Sequence, residues 1–170
     1  MSRSLGRRGA VVASAVLAVI AVPLPASAAT VSAPYACTSP LGTQSVTISA
    51  SLTATPNPAA AGAPVRFQLH VSNLGLTSPL TVNSWSGSAT LVVSGAETGQ
   101  FPVTGSGGPI APLQPITGDM SGSWTPSATG VDEVRGGNVA ITANVALIGN
   151  VSLSCTPSQP QPVGETLTVQ

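Results

Sequence analysis

Few side chains in this sequence could carry out acid–base or nucleophilic chemistry. Serine-type catalysis needs a base beside the nucleophile, and the sequence has one histidine, His70. His70 shares the polar positions of an alternating segment with Arg66 and Gln68, so we expect it to face solvent from a strand. A zinc site would need three or four His, Cys or acidic ligands, and the chain has two cysteines. We therefore expect no enzyme, no catalytic residues, no metal and no cofactor.

A pair of carboxylates could hydrolyse a glycosidic bond. Asp132 and Glu133 are neighbours in TGVDEVRGGN, a glycine-flanked stretch that we interpret as a loop, with Arg135 close by. A local ion pair or a solvated turn is the preferred interpretation of this group. Calcium would suit carboxylates and carbonyls, but no ligand spacing of the EF-hand type supports it.

The two tryptophans are the residues that a carbohydrate-binding site would use, because their rings offer flat apolar surfaces. Trp124 continues the parity of Met120 along a predicted strand, which indicates the core. Trp85 is out of parity with Val82 and lies among Ser and Gly residues. Buried packing is the preferred interpretation for both rings, and Trp85 is our candidate ligand contact if its ring is exposed.

The two cysteines, Cys37 and Cys155, lie near the two ends of the predicted domain. In an exported protein an even number of cysteines indicates pairing. Closing a loop of this size stabilises a fold by up to about 4.7 kcal/mol in the chain-entropy model. The alternatives are two free thiols or a disulfide-linked dimer. An intramolecular bond would place the first and last parts of the domain side by side.

Alternation of apolar and polar residues predicts strands along most of the chain. The clearest are 44–54 and 65–72, which are separated by the turn-forming TPNPAAAGAP. Further strands are predicted at 80–85, 88–94, 100–104, 116–124 and 165–169, and the first two are alternatively one long strand bent at Gly87. Together with the hairpin below, seven or eight short strands without a helical period indicate an all-β, immunoglobulin-like antiparallel β-sandwich.

The segment NVAITANVALIGNVSLSC, residues 138–155, predicts a hairpin. A two-residue Gly149-Asn150 turn would place apolar residues opposite polar ones, whereas a three-residue loop, 148–150, would pair Leu147 with Val151. Because a slip of one residue moves every side chain to the other face, we predict the odd-length loop. Gly149 or Asn150 would supply its left-handed residue, and the second strand would deliver Cys155 to the disulfide.

Residues 1–28 are predicted to be a secretory signal peptide, and residues 29–170 a single β-sandwich domain. MSRSLGRRGA is basic, VVASAVLAVIAV is a short apolar stretch, and Ala26-Ser27-Ala28 fits a cleavage site. The apolar stretch is too short for a spanning helix, which needs about 20 residues, so no membrane span is expected in the mature chain. We expect a secreted protein, free or loosely associated with the cell surface.

The predicted mature chain carries few charges. Residues 29–170 contain two arginines against five carboxylates, a net charge near −3. Nucleic acids and anionic membrane surfaces are bound through clustered Lys and Arg, so neither is an expected partner.

The front of the mature sequence, YACTSPLGTQSVTISASLTATPNPAAAGAPV, and its end, SLSCTPSQPQPVGETLTV, resemble a family of exported actinobacterial domains of unknown function. The family has a Y-x-C-T start and S-C-T-P near the end. The resemblance spans nearly all of the mature chain and implies an immunoglobulin-like sandwich at the bacterial exterior. It places Cys37 and Cys155 on the family's cysteine pair, and it carries over no catalytic or binding residues.

These observations lead to three functional hypotheses. The first is a non-catalytic binding or adhesion module for cell-wall polymer, polysaccharide or a surface protein, which an exposed Trp85 would favour. The second is a self-associating structural component of the envelope or spore surface, for which few charges give little repulsion between copies. The third is a secreted enzyme inhibitor that uses 104–115 as a protruding loop.

Overall fold

A computed structural model describes residues 28–158 and 161–170, so the predicted signal peptide lies outside the described residues except for Ala28. The described residues form nine strands, namely β1 (Thr30–Ser39), β2 (Gly42–Thr55), β3 (Val65–Asn73), β4 (Val82–Gly95), β5 (Gly99–Gly107), β6 (Gly118–Trp124), β7 (Gly130–Val145), β8 (Gly149–Pro157) and β9 (Val163–Val169). Within these ranges no helix is long and apolar enough to cross a bilayer. The predicted all-β class and antiparallel strand pairing are confirmed.

The nine strands form one antiparallel sheet that closes on itself. The strand order is β4-β5-β6-β3-β2-β1-β8-β7-β9, and β4 also pairs with β7. One edge of β7 pairs with β4, while its other edge pairs with β9 along the first half and with β8 along the second. The closed sheet encloses one core. This architecture agrees with the predicted antiparallel β-sandwich.

The strand count and some boundaries differ from the prediction. β1 was not predicted, because Pro34 interrupts a run that otherwise alternates. Segments 80–85 and 88–94 are one strand, β4, with irregular register near its start and its middle. The stretch around Asp132, interpreted as a loop because of its flanking glycines, is the first half of β7.

The core consists of the inward-facing residues of alternate strand positions. Phe67 and Phe101 pack with ring centroids 4.8 Å apart, and Phe101 stacks on Trp124 at 5.5 Å. Leu91 and Leu167 are completely buried. Trp124 is half-buried against this core, in agreement with its predicted parity.

The β7–β8 hairpin has the predicted odd-length loop at a different position. Residues 146–148 connect Val145 to Gly149, which pair with each other, and Val151 pairs with Ala143. The predicted pairing of Leu147 with Val151 is therefore wrong, although apolar residues do face apolar residues. Leu147 and Gly149 both have positive φ, 68° and 89°. The observed loop places Leu147 and Ile148 in solvent. Because apolar residues are expected in the core, the pattern alone indicated a loop at 148–150 instead.

The predicted disulfide between Cys37 and Cys155 is confirmed. The two cysteines are 118 residues apart in sequence, are completely buried and are direct cross-strand partners on β1 and β8. The disulfide therefore joins the first strand of the domain to the second strand of the β7–β8 hairpin.

Candidate functional site

One end of the closed sheet, which we call the loop end, is formed by four connections, residues 40–41, 74–81, 108–117 and 146–148. Antiparallel pairing brings them together, through the cross-strand pairs Thr38–Ser154, Val82–Val145 and Val71–Gly118. Because β3 and β4 are not neighbours in the sheet, 74–81 must pass across this end to join them.

Backbone hydrogen bonds join three of the four connections of the loop end, 74–81, 108–117 and 146–148, to one another. The N–H groups of Leu74, Leu113 and Ala146 donate to the carbonyls of Ile116 (3.0 Å), Ser78 (2.7 Å) and Thr81 (2.9 Å), respectively. The side chain of Leu74 is buried beneath them. The loop end therefore has a defined backbone conformation and closes the core on this side.

Large aliphatic side chains project into solvent from the loop end. Leu41 is 98% exposed, Leu147 97%, Leu113 69% and Ile148 64%. The four connections contain no charged residue and no histidine. The loop end is thus an uncharged surface from which aliphatic side chains protrude.

Leu113 and Leu147 also have unfavourable backbone conformations. Their φ angles are 62° and 68°, and among residues 28–158 and 161–170 they are the non-glycine residues with positive φ. This left-handed region costs a residue with a Cβ about 1 kcal/mol, and glycine or asparagine adopts it more readily. Since both side chains are exposed, burial within the chain does not offset the cost.

The opposite end of the sheet is held by a carboxylate. Glu97, in the β4–β5 turn, accepts hydrogen bonds from Trp124 Nε1 (2.9 Å) and Ser127 Oγ (2.7 Å), while its own N–H donates to Asp132 Oδ1 (3.0 Å). Desolvation alone would raise the pKa of Glu97, but hydrogen bonds from Ser127, Trp124 and the Ala128 backbone outweigh it and lower the pKa. These contacts join the β4–β5 turn to the β6–β7 connection and to β7.

Trp85 does not lie at the surface. It is 6% exposed, and its ring packs against Gly107 of β5 and Gly118 of β6. These glycines leave the space that the indole fills, which the sequence did not indicate. An exposed sugar-stacking role for Trp85 is therefore not supported, and its ring instead lines an internal cavity.

His70 faces solvent from β3, as predicted. Its Nδ1 lies 2.7 Å from Asp119 Oδ1 on β6, and Ser51 is its cross-strand partner on β2. Ser51, His70 and Asp119 lie side by side on three neighbouring strands and are the residue types of a catalytic triad. They are too far apart in the sequence to be recognised together. Among the described residues no hydrogen bond joins Ser51 to His70. All three lie within paired strands, so their backbone N–H groups do not form an oxyanion hole.

Asp132 and Glu133 are not brought together as a carboxylate pair. Adjacent residues of a strand point to opposite faces, and here Asp132 is completely buried while Glu133 is exposed. Glu133 forms the predicted local ion pair with Arg135. The described part of the chain contains no group of three or more His, Cys, Asp or Glu residues that could hold a metal ion.

No protein-family model matches the chain, and no curated protein is significantly similar to it.

Proposed function

We propose that this protein is an exported, non-catalytic binding domain that docks through its loop end on an apolar patch of another extracellular protein. The observation that carries the proposal is the exposure of Leu41, Leu113, Leu147 and Ile148 from connections that contain no charge. Loops held by a rigid scaffold are common binding sites, and clustered exposed apolar residues mark interaction surfaces.

Export is supported by the basic and apolar N-terminal sequence with its small-residue cleavage site. The buried disulfide between Cys37 and Cys155 is typical of proteins from oxidising environments. The resemblance to exported actinobacterial domains agrees with this location and stays a prediction.

A protein partner is favoured over a polysaccharide by the residues available for contact. Trp85 is buried, and Trp124 is half-buried with its ring stacked on Phe101, so neither presents a fully exposed ring to a sugar. The aliphatic side chains of the loop end offer apolar contact but no hydrogen bonds. An apolar protein surface satisfies them better than a hydroxyl-rich polymer does.

Self-association is the second candidate, and the same surface favours it. A net charge near −3 gives little repulsion between copies, and two loop ends could pack together through a two-fold axis. The inhibitor hypothesis has less support, because 104–107 of its expected loop continue β5. Sedimentation over a range of concentrations distinguishes a self-associating protein from a monomeric binding domain.

The test is co-sedimentation of residues 29–170 with isolated actinobacterial cell envelopes. We expect saturable binding that is lost when the envelopes are treated with protease. The double variant Leu113→Asn/Leu147→Asn should bind at least about tenfold more weakly, since tenfold corresponds to 1.4 kcal/mol shared between two apolar contacts.

Val131→Asn is the matched control, because Val131 is also an exposed apolar residue but lies on β7 near the opposite end. It should bind like the wild-type protein. Equal binding by the double variant and the wild-type protein would refute the proposal.

A further inference from the structure

The core contains an apolar cavity of about 80 Å³ beneath the loop end. Small inward-facing residues create it, since Ala33, Ala50, Ala89 and Gly136 all lie in its wall. No charged side chain lines it. A charged ligand would have to lose its hydration there without a partner, so the chemistry of the wall selects a neutral molecule.

The strands around the cavity are less tightly packed than the rest of the core. Ala50, Leu69 and Val139 point inward from the middle of strands yet are only half-buried, and all three line the cavity. Phe67, one inward position away from Leu69, is completely buried. The looser packing is therefore confined to the part of the core around the cavity.

A discontinuity in the sheet lies beside the cavity. The first half of β1 pairs only with β2, because β8 pairs with β1 only from Tyr35 onward, and β9 pairs with β7 and, through Val169, with Ala59. No strand pairing joins β1 to β9. The cavity residues Val31, Gln161 and Pro162 lie on this side and are partly exposed, which gives a ligand a route that does not require the sheet to open.

Two polar groups face this apolar space. Tyr35 is 5% exposed and lines the cavity with its hydroxyl against Gly136, and that hydroxyl has no hydrogen-bond partner among the described residues. The amide nitrogen of Gln161 donates to the Pro34 carbonyl (3.1 Å), while its buried Oε1 lacks a partner within the described ranges. Buried polar groups are normally hydrogen-bonded. Burial raises the pKa of Tyr35, so the phenol remains a donor at neutral pH.

We infer that this cavity binds a neutral, slender aliphatic molecule with one terminal hydroxyl group, a short aliphatic alcohol in chemical class. The hydroxyl would accept from Tyr35 and donate to Gln161, and the alkyl chain would lie along Ala50, Leu69 and Trp85. A cavity of about 150 Å³ takes benzene, which has six heavy atoms, so the volume of about 80 Å³ here limits the ligand to about three heavy atoms, as in ethanol. This inference is independent of the loop-end proposal, because the two use different residues.

The probe is ethanol, titrated into residues 29–170 and followed by Trp fluorescence and by the melting temperature. We expect saturable binding and a melting temperature that rises with alcohol concentration. Tyr35→Phe should bind about three- to tenfold more weakly, the effect of one lost hydrogen bond. Its melting temperature without ligand should be unchanged or higher, because an unpartnered hydroxyl is removed.

Ala50→Leu fills the cavity and should abolish saturable binding while the protein remains folded. Ala33→Val takes its place if the larger substitution prevents folding. Absence of saturable binding to the wild-type protein would overturn the inference. So would an equal response from the filled variant, or a melting temperature lowered by several degrees in Tyr35→Phe, since that would show a structural hydrogen bond.

Discussion

At the scale of single residues, the loop end differs from the rest of the surface in the backbone conformation of its exposed leucines. Leu113 and Leu147 combine positive φ with side chains in solvent. Strained conformations of this kind tend to persist where function requires them. The conformational cost of Leu113 and Leu147 is therefore not offset by burial of their side chains within the domain.

Replacing Leu147 by asparagine should leave the free energy of unfolding unchanged or raise it by about 0.5–1 kcal/mol. Asparagine adopts the left-handed conformation more readily, and a side chain that is 97% exposed loses no burial. Urea unfolding of the two proteins measures the difference. Leu41→Asn, at an equally exposed position without positive φ, should change stability by less than about 0.5 kcal/mol. A loss above 1 kcal/mol in Leu147→Asn would show an intramolecular role for Leu147.

Glu97→Gln should make stability less sensitive to acid. The pKa of Glu97 is lowered in the folded protein, so its contribution is present above the unfolded-state value of about 4.3 and is lost as pH falls through the folded value. At pH 7 the variant should be less stable by about 1 kcal/mol, a value reduced for solvent exposure. Thermal unfolding between pH 3 and 7 tests this. Parallel pH curves for the two proteins would exclude the carboxylate as a source of acid sensitivity.

The residue types of the candidate site were visible in the sequence, but their positions were not. Exposed Leu147 occurs in an apolar run that is typical of core strands, so the pattern alone placed it in a strand, whereas Ile148 was already predicted to lie in the loop. For Trp85 the difference is the reverse. Its Ser and Gly neighbours made exposure plausible from the sequence, whereas in the structure Gly118 leaves space for the ring in the core. Exposure at such positions depends on tertiary packing that a single sequence does not encode locally.

At the scale of strands, alternation predicted most elements because its period is imposed by the sheet itself. β2 and β3 were predicted to within two residues at each end. The first half of β7 was missed, since the glycines around Asp132 resemble a loop. The closure of the sheet through β4 and β7 was also not predictable, because it depends on which distant strand edges meet.

Removing the disulfide should destabilise the protein by about 2–5 kcal/mol. The bond joins β1 and β8, whose pairing covers only Tyr35 to Thr38 on β1, so few backbone pairs join these two strands directly. The double variant Cys37→Ser/Cys155→Ser, compared with the wild-type protein in urea, measures the loss. A change below 1 kcal/mol would show that the strand pairing alone is sufficient.

At the scale of the whole molecule, the two ends of the sheet are closed by different means. Hydrogen bonds to Glu97 hold one end, and crossing connections with buried Leu74 hold the other. The second end also presents the exposed aliphatic residues. A rigid closed sheet with one uncharged, apolar end is suited to presenting a fixed surface to a partner.

The most direct test of this account is photo-cross-linking of residues 29–170 to isolated envelopes. A diazirine-bearing side chain would replace Leu147 in one sample and Val131 in another, since both positions are exposed and lie near opposite ends. The account predicts cross-linked protein adducts from position 147 and few from position 131. Adducts that form equally from both positions, or mainly from position 131, would contradict the assignment of the loop end as the binding surface.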